Sequence, residues 1–474
     1  MPAIELNIGH LPSPRRQPGS DDDGDDVAPF RIVALGDFSG RPSAERGPLA
    51  ERRPVRLDID NFEAVFARLA PLAEIAGLQD AMGLALRIEL ETMDEFSADA
   101  VLARLPAKAS AGASPPPAPA PAREDDAEDA AATMKRLLGG ALPAGAPALA
   151  AAPAAKADDA VDRFIRQLVG EHIVPAAPVP AASDNDAAAA LLRHVLRDPA
   201  WRHLESAWRA VDRFVRELDM ADGQVRLELL DCRADELLAD LGASAGDPAR
   251  AALASVLKGD GRGCDVVVSL EEFGPSLVEL SLLGGLASVA AAQGAVLLAG
   301  AAPALAAVAT SDDAQVLASN ESRVWRALRE SALARHVGLT FPRLLARLPY
   351  GPRNEPVAAF AFDELADASA TSLHDALVWR SAALDAALLL AQGHVDGGVE
   401  TRLQLADLPA FIDRSGDEPR LQAVAEAYLG EREVNLLQTA GLITLQSDRR
   451  VPEARVSGWQ SIAAGGGELA GSWR

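Results

Sequence analysis

The sequence predicts an α/β protein of two modules, each a sheet packed by helices, joined by a Pro/Ala-rich linker. Three observations carry that expectation. Short apolar strands alternate with helical stretches on both sides of the chain's middle, the pattern of sheets covered by helices. Between 107 and 157 the composition turns to SPPPAPAPA and GGALPAGAPALAAAPAAKADD, tracts that bury little apolar surface. The chain's 474 residues also exceed what one hydrophobic core organises. The expected divisions are a strand-bearing N-terminal tether at 1–29, a first module at 30–106, the linker at 107–157, a second module at 158–462 and a flexible tail at 463–474.

In the tether, Ile4, Leu6 and Ile8 alternate and so share one face of a strand, and the acidic run Asp21 to Asp26 after them reads as a solvated link. A free strand on a tether suits donation to a neighbour, and equally a return in cis. Phe30 to Leu35 opens the first module as a strand that ends at Gly36-Asp37-Phe38-Ser39-Gly40-Arg41. Asp60 and Glu63 have capping-box spacing, and Phe62, Val65, Phe66 and Leu69 then fall on one helical face. Leu86 to Leu90 alternates as a strand, and a short helix is expected around Met134 to Leu138 inside the linker.

The second module starts with a helical stripe, Val161, Phe164, Ile165, Leu168, Val169 and Ile173, before Pro175, Pro178 and Pro180 break the chain. One longer helix is expected from Leu191 to Leu218. Along it Trp201, Leu204, Trp208, Val211 and Val215 step by three and four as a continuous apolar seam, with Glu205 and Arg209 paired on the flank. Strands follow at Val225 to Leu230 and Asp265 to Ser269. From Ser281 to Thr310 no residue is charged, a length that could cross a membrane. Its Ala and Gly content favours buried core instead: a helix to about Ala292, a turn at Gly294, a strand from Ala295 to Ala299 and a break at Pro303. His336 to Phe341 reads as an extended segment, since Pro342 disfavours helix at the residue before it, and Leu348 to Pro352 is a rigid turn.

Composition narrows function. A net charge of −24, from 69 acidic and 45 basic residues, argues against a nucleic-acid partner. Cys232 and Cys264 supply neither a disulfide framework nor a CxxC site, and the opening MPAIELNIGHLPSPRR lacks the pattern of a secretory leader. Gly242 to Gly246 satisfies G-x-S-x-G but follows a helical run instead of a strand, so a polar loop is expected there. Gly259 to Gly263 lacks the lysine and flanking order of a phosphate loop. The acidic run lacks the glycine and glutamate of a calcium loop, and the seven histidines show no metal-ligand spacing. No catalytic, metal-binding or cofactor-binding residue is nominated, and no cofactor is expected.

The passage RALRESALARHVGLTFPRLLARLPYGPRNEP resembles the LRES, YVGLTLPR and LRLPYG segments of the large contractile-sheath subunit of bacterial type VI secretion systems, the TssC or VipB type. Asp198-Pro199, Leu204-Glu205 and Trp208-Arg209 fit a second stretch of that family, and Glu431-Arg432-Glu433 a third. In the first module LGDFSGR, PLAERRPVRLDIDNFEAVFARLAP and LRIELETMDEFSADAVLARLP resemble, in order, the small subunit of the TssB or VipA type. The resemblance thus implies a fusion of small and large subunits, the large one shortened at its C-terminal side, where the family has strands that help to mesh neighbouring subunits.

That resemblance implies a structural component of the contractile sheath, or a sheath-assembly adaptor, working by subunit packing and strand exchange in the bacterial cytoplasm. Its partners would be sheath subunits or further copies of itself, with the inner tube, the baseplate and a AAA+ unfoldase beyond them; neither nucleic acid nor membrane insertion is expected. The residues expected at joints are Ile4, Leu6, Ile8, Trp201, Leu204, Glu205, Trp208 and Arg209. A sheath-like scaffold that does not polymerise and a soluble α/β enzyme are the alternatives.

Overall fold

Phe30–Gly36, FRIVALG, is apolar on both faces after Arg31, the mark of a strand covered on both sides. The structure, a computed structural model, describes residues 29–79, 85–105, 184–244, 247–259, 261–368, 373–398, 403–413, 420–421, 424–448 and 451–473. The tether strand with Ile4, Leu6 and Ile8, the acidic run, the linker and the helical stripes near Met134 and Val161 lie outside the described residues.

The first region comprises β1 (Phe30–Gly36), β2 (Val55–Leu57), α1 (Phe62–Leu69), β3 (Leu72–Gln79), β4 (Ala85–Glu89) and α2 (Ala98–Arg104). The second begins with α3 (Asp184–Arg197), α4 (Pro199–Glu217), β5 (Val225–Asp231), α5 (Ala234–Ala243), α6 (Ala252–Lys258), β6 (Val266–Phe273), α7 (Leu277–Ala292) and β7 (Val296–Ala301). It continues with α8 (Pro303–Thr310), α9 (Ala314–Ala318), α10 (Asn320–Glu330), β8 (Val337–Phe341), β9 (Leu344–Leu345), α11 (Leu373–Ala376), β10 (Trp379–Arg380) and α12 (Ala383–Val395). The last elements are β11 (Gln404–Leu405), β12 (Ile412–Asp413), β13 (Arg420–Leu421), α13 (Glu431–Thr439), β14 (Leu442–Ser447) and β15 (Ala454–Val456).

The α/β class and the two regions stand as expected, but the regions share their principal sheet. Nine strands lie in the order β11-β15-β14-β8-β7-β6-β1-β5-β2. Strand β1 of the first region runs parallel between β5 and β6 of the second, with Ile32 opposite Leu227 on one side and Val266 on the other. β2 adds antiparallel to β5 as an edge. Taken in chain order, the parallel strands β1, β5, β6, β7, β8 and β14 are arranged 2-1-3-4-5-6, a doubly wound order whose first strand comes from the first region. That region keeps one small sheet of its own, β3 with β4.

The pleat sends alternate β1 residues to opposite cores. Ile32 and Ala34 join the core containing α1, α4 and α12; Val33 and Leu35 join the one under α5, α6, α7 and α10. Each fully buried Val, Leu or Ile side chain stabilises by roughly 1.5–3 kcal/mol, so β1 is a main support of both layers. Arg31 fixes its register: the backbone N–H donates to Asp265 at 2.8 Å, and the guanidinium meets Glu228 at 2.7 Å and the Gly263 carbonyl at 2.8 Å.

Several local expectations change. The single helix expected from Leu191 to Leu218 is split, because Pro199 has no N–H to continue α3 and Asp198 caps α4 through the Ala200 amide at 2.9 Å. Asp60 and Glu63 form no capping box; Asn61 is the N-cap, and Asp58 and Asn61 instead accept each other's backbone N–H at 3.0 Å. Pro303 starts α8 at a position that needs no N–H. The tail expected to be flexible is packed: Ser472 N donates to Gly294 O at 3.0 Å, and Leu469 and Trp473 are each 2 % exposed. Its two apolar side chains have a core to enter, which a glycine-rich composition concealed.

Candidate assembly interface

Helix α4 makes two kinds of contact, an apolar one with the first region and an ionic one within the second. The apolar one centres on Trp208, whose ring lies 4.5 Å from Phe66, 5.8 Å from Phe62 and 5.7 Å from Phe38. Its Nε1 donates to the Phe38 carbonyl at 2.9 Å. Two turns earlier Trp201 meets Phe96 edge to face at 5.3 Å, and Leu204 is buried between them on the helix. Aromatic pairs of this geometry contribute about 0.5–1.5 kcal/mol each beyond the area they bury.

The turn after β1 is built to reach the end of β5. Phe38 N and Ser39 N donate to Asp231 Oδ1 at 2.8 and 2.9 Å, and Ser39 Oγ donates to Oδ2 at 2.7 Å. Arg46 bridges Asp37 and Asp231, Arg233 reaches Asp37 at 3.2 Å, and Arg52 donates to Glu236 at 3.0 Å and to the Asp231 carbonyl at 2.9 Å. Gly40 sits at φ +62, where a Cβ would stand 2.1 Å from the Leu72 carbonyl. Glycine is therefore needed for the chain to turn back along β3. The amides and charges of this turn are engaged within the protein.

The second contact is ionic and sealed. Glu205 Oε1 accepts from Arg209 Nε at 2.8 Å and Arg347 Nε at 2.7 Å, while Arg347 forks Glu364 at 2.7 and 2.9 Å. Glu364 also accepts the Tyr350 amide at 2.8 Å, and Tyr350 OH donates to the Phe96 carbonyl of the first region at 3.1 Å. Arg347 stacks over the Tyr350 ring at 4.2 Å. Burial alone would raise the Glu205 carboxyl; Arg347 and Arg209 outweigh it and hold the group below its ordinary value. Burial pushes Tyr350 up to about 12.

Of the residues expected at joints, Trp201, Leu204, Glu205 and Trp208 are buried along α4 and Arg209 is half-buried. Glu205, expected beside Arg209 on the flank of the seam, is fully buried. Its second partner, Arg347, is 142 positions away and invisible to helical spacing. Phe38, Phe96, Asp231, Arg347, Tyr350 and Glu364 are not among the residues expected at joints; their trace in the sequence is that Phe38, Phe96, Arg347 and Tyr350 fall in the family-like LGDFSGR, LRIELETMDEFSADAVLARLP and ARLPYG passages.

The chemistry of these clusters is pairing. Ser244 ends α5 and donates back to the Leu241 carbonyl at 2.6 Å, not the strained strand-to-helix turn of a nucleophile. Gly263 offers a carbonyl to Arg31 instead of an amide to an anion. Cys232 and Cys264 are buried and their thiols pushed up by burial. Among the described residues no three of His, Cys, Asp and Glu converge where a metal ion could be held, and no helix is long and apolar enough to cross a membrane.

A shared parallel sheet, an aromatic seam and a buried ionic node define a protein whose two regions interlock as paired structural subunits do. The chain belongs to the family described as EvpB/VC_A0108, tail sheath N-terminal domain, which matches residues 184–463, more than half of it. Residues 20–109 match a second family, described as Type VI secretion system, VipA, VC_A0107 or Hcp2, so the chain is a TssB/TssC-type fusion. Two Pseudomonas aeruginosa proteins are similar to it. The type VI secretion system sheath protein TssC1 is 27% identical over 292 residues, covering 56% of this chain and 57% of that protein. The sheath protein TssB1 is 30% identical over 80 residues, covering 16% of this chain and 46% of that protein. The chain thus spans about half the length of the curated relatives it matches.

Proposed function

We propose that this chain is a structural component of a type VI secretion contractile sheath, or an adaptor for sheath assembly, in which a small-subunit-like and a large-subunit-like half are delivered already paired. The observation that carries this reading is β1: a strand of the first region completes the middle of the second region's sheet, so both cores contain side chains from the two halves. Holding two cognate halves on one chain raises their effective concentration to about the millimolar range. Pairing becomes one to one.

In this reading Ile4, Leu6 and Ile8 supply a strand to an adjoining subunit, and the Trp201–Arg209 stretch keeps α4 in register with the first region. Sheath subunits or further copies of this chain are the first partners, with the inner tube, the baseplate and a AAA+ unfoldase further out, and the work is done in the bacterial cytoplasm. Electron microscopy of the purified chain, alone and mixed with sheath proteins encoded beside it, tests the proposal. Filaments, or attachment to sheath ends, are expected. Monodisperse monomers that never bind sheath proteins would overturn it.

A further inference from the structure

A crevice of about 430 Å³ opens at the carboxyl ends of β6 and β8, walled by α4 and the 374–381 segment. Glu272 lies in its wall with both carboxyl oxygens sealed from solvent; the Ser381 hydroxyl stands beside the carboxyl, but no well-aligned hydrogen bond reaches either oxygen. The backbone is shaped for this. β6 slips register against β7 between Val268 and Glu272, and opposite it stands Gly300, where a Cβ would be 2.1 Å from Glu272 Oε1.

The cation beside it is already committed. Arg343 forks Glu426 at 2.8 and 2.5 Å, and His374 Nε2 meets the same carboxylate at 2.9 Å, so these three side chains tie the outer segments to the end of β8. Glu271 on the same strand, Asp375 beside His374, and Arg202 and His203 of α4 are the other charged or titratable groups on the crevice. Burial pushes the Glu272 carboxyl from its ordinary 4.5 up to about 8, against the pull of Arg343 and the neighbouring Ser381 hydroxyl.

We propose that Glu272 is a proton-linked latch: as a neutral acid it lies tucked against Gly300, and on releasing its proton to solvent it turns into the crevice and competes with Glu426 for Arg343, loosening the 373–381 and 424–429 segments. The tucked form carries a proton that the free carboxylate does not, so opening is increasingly favoured as pH rises from the ordinary carboxylate range and gains nothing further above about 8.

Amide hydrogen exchange of the full chain across this range, corrected for the intrinsic rate, tests the latch. Protection of the two segments is expected to fall about tenfold per pH unit on the approach to pH 8 and then level off. Glu272→Gln, which keeps the shape and cannot ionise, should abolish that dependence, and Gly300→Ala, which expels the carboxyl, should leave the segments open at neutral pH. Wild-type protection that ignores pH, or a Glu272→Gln variant with the wild-type slope, would overturn the proposal. Should either variant fail to fold, a carbon-13 titration of the wild-type glutamates decides: one carboxyl titrating near 8 supports the latch, and all of them in the ordinary range overturn it.

Discussion

Trp208 and Glu205 are three residues apart on α4, and the structure around them differs in kind. Around Trp208 three phenylalanines of the first region close an apolar seam; around Glu205 two arginines, a second glutamate and a tyrosine close a node of charge. The seam gains free energy from every group it removes from water. The node loses about as much by desolvation as its attractions return, so its contribution is to the geometry in which Arg347, Tyr350 and Phe96 meet. One helix thus separates the source of stability from the source of register.

The largest effect that tests this contrast is expected from Trp208→Ala. Losing the ring should cost about 3–5 kcal/mol of unfolding free energy, and the Phe38 carbonyl left without its donor about 1–3 kcal/mol more. Guanidinium melts read it, and a loss under about 2 kcal/mol would show that the first region leans on other contacts. Next comes Arg347→Ala, at about 3–5 kcal/mol, because Glu205 and Glu364 remain buried without their shared cation. Replacing Arg347, Glu205 and Glu364 together by Met, Leu and Leu sharpens the comparison. That triple change should be neutral or stabilising by roughly 1–4 kcal/mol, and a large loss would mean that the node is itself a source of stability.

Acid should separate the contacts as well. The Glu205 carboxyl is held low in the folded chain, so its contribution is present above its ordinary 4.5 and fades as pH falls through the lower folded value. Thermal melts should therefore drop in acid for the wild type, and the triple variant should have a shallower slope over the same range. Parallel slopes would mean that Glu205 contributes nothing to the loss of stability in acid. The smallest effect is expected at the helix start: Asp198→Ala deprives α4 of its cap and should cost about 1 kcal/mol by the same melts.

Much of this was legible in the chain. The apolar stripe from Trp201 to Val215 named the buried face of α4, and FRIVALG read as a strand because nothing in it suits water. The uncharged stretch from Ser281 to Thr310 resolved as read, into helix, turn at Gly294 and strand, with Pro303 opening the next helix. Hidden from the sequence was where β1 goes. Strand periodicity reports which faces are covered and says nothing of the neighbours, and the partners of Ile32 lie at Leu227 and Val266, across the linker. The ionic node was hidden for the same reason: Glu205 and Arg209 show a local pair, while Arg347 and Glu364 arrive from a distant loop.

Native-state hydrogen exchange of the Ile32 to Leu35 amides measures directly whether β1 belongs energetically to the second region's sheet. If the two regions are one cooperative unit, these amides exchange only through the opening that frees Val266 to Val268 of β6, with the same free energy and the same sensitivity to denaturant. If β1 exchanges through a separate, lower-energy opening while β6 stays protected, the regions are independent bodies and do not share one cooperative sheet.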